Sequence, residues 1–299
     1  MRDTTRQPAR RRRSRSRFPL ARAGWAAIIT VVGALGIPVG AGAVTLTGSG
    51  SSAAQPYMLA LFRTYSQVHK SVRFKYVPDG GNAGVKDVQA GRVQFAINTR
   101  PPLASDSGTT YSKLFLDGLC IAVHNGNNVS NVSLTALKDI FRGIDNSWSQ
   151  VAGSNLSTTI DPIGRNATAG SYTFFQQAVL GGATQASNVL QVTSDGLVQT
   201  GIENDPRSIG YVGLAHSKTG VKRLTVGGIP CDAAHIRSDT YPLYRYIWGV
   251  VPTKGTSLQV VRFLRWVAYS AAAGQIINEA GAVAAFNASP PKKHRGKRR

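Results

Sequence analysis

Val44-Thr45-Leu46-Thr47, then Gly48-Ser49-Gly50-Ser51-Ser52, then apolar residues at Met58, Leu61, Phe62, Tyr65 and Val68 read as a strand, a small-residue loop and a helix. The pattern continues. Val72, Phe74 and Tyr76 alternate as a strand, Asp79-Gly80-Gly81-Asn82 forms a loop, and a short helix runs through Val85, Val88 and Gln89. Val93 to Asn98 is the next strand. Such alternation predicts a parallel sheet flanked by helices. Further on, residues 115–124 read as a long apolar strand, followed by helix 133–142, strand 159–164, helices 171–180 and 195–203, and strand 208–213. Pro242 to Val251 is another long strand, and one last helix carries Val261, Leu264, Val267 and Tyr269 and runs on past Ile276.

The 299 residues are 42% hydrophobic, enough to bury a core, and they carry a net charge of +21. Much of the charge lies at the ends. Residues 1–43 hold nine Arg and one Asp, and residues 292–299 hold six Lys/Arg. After the arginines comes an apolar stretch from Trp25 to Ile37, then Ala41-Gly42-Ala43. That order describes a secretory signal peptide over 1–43, cut after Ala43, or else a retained membrane anchor over 24–44. Either way the body is exported, to a periplasmic or extracellular site. No Cys lies near the apolar stretch, which argues against a lipoprotein, and Arg15-Ser16-Arg17-Phe18 lacks a twin-arginine pair. The tail at 291–299 has no apolar periodicity and reads as disordered. Its charge suits an anionic cell-wall polymer or membrane surface, not a specific nucleic acid. Cys120 and Cys231 are open to two readings, a disulfide or buried thiols. Two Cys and five scattered His argue against a disulfide-dense scaffold or a multi-ligand zinc site, and no metal or cofactor is expected.

Each small-residue loop lies between a strand and a helix. Its backbone N–H groups therefore open at a helix N-terminus, where orphan donors and the positive pole of the dipole favour an anion. The three candidates are Gly48–Ser52, Gly80–Asn82 and Thr168–Ser171, with hydroxyls at Ser51, Ser52 and Ser171 as added donors. Arg165 precedes the third loop at a strand end and is placed to clamp an anion bidentately. Arg100, at the end of the Val93–Asn98 strand, is a second cation. Asp79 and Asp195 each begin a loop, where a carboxylate caps or turns the chain.

Thr47-Gly48-Ser49-Gly50-Ser51-Ser52 and Gly80-Gly81-Asn82-Ala83-Gly84-Val85-Lys86 resemble the phosphate-binding proteins of ABC phosphate importers, the PstS type. So do Gly164-Arg165-Asn166-Ala167-Thr168-Ala169-Gly170-Ser171, Ser208-Ile209-Gly210-Tyr211-Val212-Gly213, Tyr241-Pro242-Leu243-Tyr244-Arg245, and Gly274-Gln275-Ile276-Ile277 with Ala280-Gly281. The resemblance spans roughly residues 44–286. It implies a two-lobed periplasmic-binding-protein type II fold of the α/β class, with two sheets flanked by helices and joined by two crossing strands. One lobe would comprise 44–117 and 245–290, the other 118–244. It further implies phosphate, or a similar tetrahedral oxyanion, in the interlobe cleft, and an ABC permease complex as partner. Carried over by position, the ligand-binding residues would be Ser52, Gly81, Asn82, Arg165, Gly170 and Ser171, with Thr99 and Arg100 at the end of the third strand. Thr99 stands where some relatives have an aspartate that excludes sulfate, which leaves Asp79 and Asp195 as candidate acceptors for a proton on the ligand, and Ala169 replaces a serine hydroxyl.

No G-x-S-x-G elbow and no H-E-x-x-H is present, and Cys231-x3-His235 is an isolated pair. A binder is therefore expected, not an enzyme. The rivals are an exported hydrolase whose triad assembles in space, and a sensing or adhesive protein held to anionic polymer by its tail.

Overall fold

The computed structural model describes residues 42–285, apart from 218–219. All but the last two residues of the leader, and the whole basic tail, lie outside the described residues. Among those described, no helix is long and apolar enough to cross a membrane.

The opening units form as the pattern predicts: β1 (Val44–Gly50), α1 (Gln55–Val68), β2 (Val72–Val77), α2 (Gly81–Gln89) and β3 (Phe95–Asn98). β2 and β3 pair in parallel with either side of β1. β1 runs three residues beyond the expected Thr47. Gly48, Ser49 and Gly50 pair with Phe95, Ala96 and Ile97, and a Cβ on Gly48 would sit 2.4 Å from Phe95 Cζ. Glycine here lets the strand lie flat under an aromatic ring.

Next come β4 (Thr109–His124), β5 (Asn131–Val132), α3 (Leu134–Phe141), β6 (Asp161–Arg165), α4 (Gly170–Ala178), β7 (Leu190–Val192), α5 (Asp195–Asn204) and β8 (Ser208–Gly213). The chain ends with β9 (Val221–Arg223), β10 (Thr225–Val226), α6 (Ala233–Arg237), β11 (Tyr244–Pro252), α7 (Leu258–Tyr269), α8 (Ala271–Glu279) and β12 (Val283–Ala284). The main sheet has the order β2-β1-β3-β11-β4-β8-β6-β7, with β9 and β12 also on β4. β4 ties it together. Its 16 residues first pair with antiparallel β11, from Thr109–Pro252 to Gly118–Tyr244, and then with antiparallel β8, from Leu119 to Val123. The protein is thus a two-lobed α/β fold, its sheets running edge to edge through β4, beside which the chain crosses again at 243–245, Leu119 N donating to Leu243 O.

Each lobe has its own core. Leu46, Tyr57, Met58, Leu61, Phe62, Phe95, Phe115, Phe263 and Val267 cluster in one. Leu119, Ile121, Leu137, Phe141, Trp148, Phe175 and Tyr211 cluster in the other. Cys120 of β4 and Cys231 form a disulfide with Cα atoms 5.6 Å apart, which decides between the two readings of these cysteines.

The expected single C-terminal helix is two. Ser270 caps both, ending α7 with its N–H donated to Trp266 O and opening α8 by accepting from Ala273 N through Oγ at 3.0 Å. Its extended backbone (φ −86°, ψ 143°) breaks the helical path.

Candidate functional site

The three loop–helix junctions meet where the lobes face each other. In the first lobe, Asp79 Oδ1 accepts from Gly50 N at 3.0 Å, and Gly80 N donates to Gly50 O at 2.8 Å, so the loops after β1 and β2 are pinned together. Ser51 Oγ accepts from Ala54 N at 3.2 Å and turns the chain into α1. Burial and the neighbouring Asp87 carboxylate push Asp79 up to about 6.

Helix α2 starts at Gly81 behind Gly80, whose φ of 110° needs glycine and whose Cβ, if present, would lie 2.4 Å from Thr168 O. No side chain caps this helix. Instead Asn82 N and Ala83 N donate to Thr168 O of the second lobe, at 2.9 and 3.2 Å. Asn82 Nδ2 reaches across to Ala167 O (3.0 Å), Ala169 O (3.1 Å) and Thr173 Oγ1 (2.8 Å), while its Oδ1 accepts from Arg100 Nε at 2.6 Å. Asn82 fastens the two lobes.

Arg100 therefore serves in a way its position in sequence does not suggest. Its guanidinium forks onto Asp106, with NH1 at 2.6 Å and NH2 at 3.0 Å, and donates to Pro101 O. Burial would raise Asp106, but Arg100 and its other donors outweigh it and hold the carboxyl below its ordinary value. The positive charge of Arg100 is matched within the first lobe, and the residue orients Asn82.

In the second lobe, α4 begins at Gly170 behind Ala169, again without a side-chain cap. Gly170 packs on the end of β3, so that a Cβ would lie 2.1 Å from Asn98 Oδ1 and 2.7 Å from Thr99 Oγ1. Thr99 is wholly buried and its hydroxyl oxygen has no hydrogen-bond partner. Ser171 Oγ accepts from Arg245 NH1 at 2.9 Å.

Arg165, at the end of β6, is 1% exposed. Its Nε donates to Val192 O, its NH2 to Thr193 O, and its NH1 pairs with Asp195 Oδ2. Asp195 also accepts from Ser52 Oγ at 3.0 Å and from Gly213 N at 2.9 Å. Burial works to raise this carboxyl; the Arg165, His216 and Arg245 charges overcome it and keep Asp195 below the ordinary carboxylate range, hence ionised. The Ser52 proton, expected to point at a ligand, is directed to Asp195 and so links the lobes instead.

A third buried pair had not been expected from the sequence. Arg245 of β11 and Asp117 of β4 face each other in register, with Nε and NH2 at 3.3 and 3.1 Å from Asp117 Oδ2. Asp117 Oδ1 accepts from Tyr57 OH and Leu214 N. A signal was available: one Asp inside an otherwise apolar strand needs a partner, and Arg245 is the cation in the other crossing strand. His216 Nε2 lies 3.2 Å from the Ser52 carbonyl, not its hydroxyl, so Ser52, Asp195 and His216 do not form a proton-abstracting triad. Two helix N-termini without side-chain caps, two guanidinium groups and buried hydroxyls drawn from both lobes make an arrangement suited to holding an oxyanion.

Residues 37–271 match the family model described as a PBP superfamily domain. The phosphate-binding protein PstS of Bacillus subtilis (strain 168) is 26% identical over 221 residues, 72% of each chain. That of Borreliella burgdorferi is 23% identical over 245 residues, covering 78% of this chain and 87% of the relative. Among solved structures, a Clostridium perfringens phosphate ABC transporter substrate-binding protein with bound phosphate superposes with a TM-score of 0.76 at 19% identity, over 81% of this chain and all of the other. An ABC-type phosphate transport receptor from Vibrio cholerae gives 0.66 at 24% identity, over 80% of this chain and 99% of the other.

Proposed function

The chain belongs to the PBP superfamily, and we propose that it captures inorganic phosphate between its lobes, outside the cytoplasmic membrane, for an ABC importer. The carrying observation is that Gly170 packs on Thr99 and that the N-terminus of α2 at Gly81 and Asn82 meets the 167–169 loop of the other lobe, with Arg165 and Ser171 buried at either end of that loop. The relatives named as phosphate-binding proteins support the choice of anion. The role is binding without turnover.

Capture follows from what the donors do here. Thr168 O now takes the Asn82 and Ala83 N–H groups, so the lobes part and the 165–169 loop draws back before an oxyanion reaches them. Phosphate then offers acceptors to the α2 and α4 N-termini, to Ser171 and to the remaining N–H groups of Arg165. Each hydrogen bond to its charge is worth roughly 1.5–3 kcal/mol net. The change of partner along β4 between Gly118 and Leu119 supports hinges near 117/118 and 244/245. Asp195, ionised beside Ser52 and Arg165, supplies an acceptor for a protonated phosphate that sulfate cannot use.

Calorimetric titration of the protein with phosphate and with sulfate, at pH 6 and pH 8, tests the reading. Saturable binding of phosphate, with sulfate at least about tenfold weaker, is expected. No heat with either anion at millimolar concentration would remove the assignment.

A further inference from the structure

The two lobes differ in charge. Residues 44–117 and 245–285 carry twelve Lys/Arg and five Asp/Glu, whereas residues 118–244 carry eight of each. The whole excess of the body therefore belongs to the first lobe. Within that lobe Arg92, Arg100 and Arg245 pair with Asp87, Asp106 and Asp117. Lys70, Arg73, Arg262 and Arg265 are exposed and, among the described residues, form no ion pair.

Lys70, Arg73 and Arg262 share one end of the lobe, and Arg265 follows Arg262 by about one turn of α7, next to Trp266 in sequence. Arg73 NH1 donates to Lys70 O at 2.7 Å, the His69 ring lies 4.1 Å from the Tyr65 ring, Tyr65 meets Trp266 at 5.2 Å, and the Arg262 charge acts on Tyr65. Apolar side chains are interleaved with them, Val68 at 71% and Val261 at 37% exposed. β1 enters here as well, Val44 N donating to Ser71 O, seven residues after the apolar stretch Trp25–Ile37 in sequence. The anion loops lie at the opposite ends of β1 and β2, about 20 Å away for a seven-residue strand.

We propose that this end of the first lobe, formed by Lys70, Arg73, Arg262 and Arg265 around Tyr65 and Trp266, docks on an anionic lipid surface. Basic side chains interleaved with apolar ones suit the boundary between headgroups and acyl chains; a hydrophilic polyanion has no use for the apolar part. Docking there leaves the cleft, at the far end of the lobe, facing away from the bilayer.

The test is co-sedimentation of the full-length protein with phosphatidylglycerol/phosphatidylcholine vesicles and with pure phosphatidylcholine vesicles. Lys70→Glu/Arg73→Glu/Arg262→Glu is compared with the lobe-two control Lys138→Glu/Arg142→Glu/Arg237→Glu, each with and without residues 292–299. The proposal expects the first triple variant to lose at least about tenfold in partitioning onto anionic vesicles, in both backgrounds, with weaker binding in 0.5 M salt and unchanged phosphate affinity. Equal losses in the two triple variants would overturn it. So would a loss confined to an immobilised soluble polyanion, with vesicle binding intact. Phosphate titration of the same variants separates this outcome from failure of the phosphate reading.

Discussion

Gly170 has room for a hydrogen and nothing larger, because Asn98 and Thr99 of the other lobe stand where a methyl would go. Its φ is not in the left-handed region, so Gly170→Ala should fold normally yet hold the lobes apart. Phosphate affinity is expected to fall at least about tenfold while the melting temperature shifts by less than about 3 °C; undiminished affinity would show that the lobes need not meet there. Arg165 behaves differently. Arg165→Ala leaves Asp195 buried without its cation, a change that costs about 3–5 kcal/mol, so lost binding and lost stability arrive together. Adding Asp195→Asn removes the stranded charge. The double variant should regain most of the stability but not the affinity, which melting and calorimetry on the same samples will separate. Asp79 gives a pH effect. The fold holds its proton up to about pH 6, against about 4 in an unfolded chain, so its contribution is full below pH 4 and is lost as pH rises through 6. Asp79→Asn should therefore gain in relative stability between pH 4 and pH 7, and a constant difference across that window would contradict the assignment. Arg165, Asn82 and Gly170 were legible as residues of the loop–helix junctions because each lies where a strand gives way to a helix. The partners that decide what the junction side chains do were not, since Asp195 lies thirty residues from Arg165 and Asp106, which fixes Arg100 beside Asn82, has no motif.

At the scale of elements, periodicity marked the ground of each helix of eight or more residues among the described residues, and its errors have local causes. The reading of α7 and α8 as one helix failed because the apolar spacing continues across Ser270, whose capping role only the backbone turn reveals. Ser270→Ala should cost about 1 kcal/mol, seen as a drop of about 2–4 °C in melting temperature. The first half of β4 was missed because its side chains from Thr109 to Lys113 are largely exposed and polar; pairing with β11, not burial, makes it a strand. Strands of two or three residues, such as β5 and β10, are too short for any alternation to register. The pairing of Arg245 with Asp117 belongs to this scale too, for it follows from the register of two strands that are 128 residues apart in sequence.

For the molecule as a whole, the disulfide and the hinge carry the consequences. Cys120–Cys231 closes a loop of 111 residues, which in the chain-entropy picture removes roughly 4–5 kcal/mol of unfolded-state freedom. Replacing both cysteines with Ala should lower the melting temperature by about 10 °C, read by calorimetry with and without reductant; the variant should be indifferent to reductant. The alternating units made the α/β layering legible, since strand–loop–helix order sets the local handedness and layering of a parallel sheet, whereas the two-lobed plan was implied only by the family resemblance. How the sheets connect was not, because a strand that changes neighbours halfway along looks in sequence like any other. That shared strand has a practical outcome. A gene cut between Gly118 and Leu119 would give two fragments that each carry half of β4, one end of it stripped of the main-chain continuity that holds its register. Neither piece should fold by itself, and heating the intact protein should produce one calorimetric peak where two tethered but independent bodies would produce two.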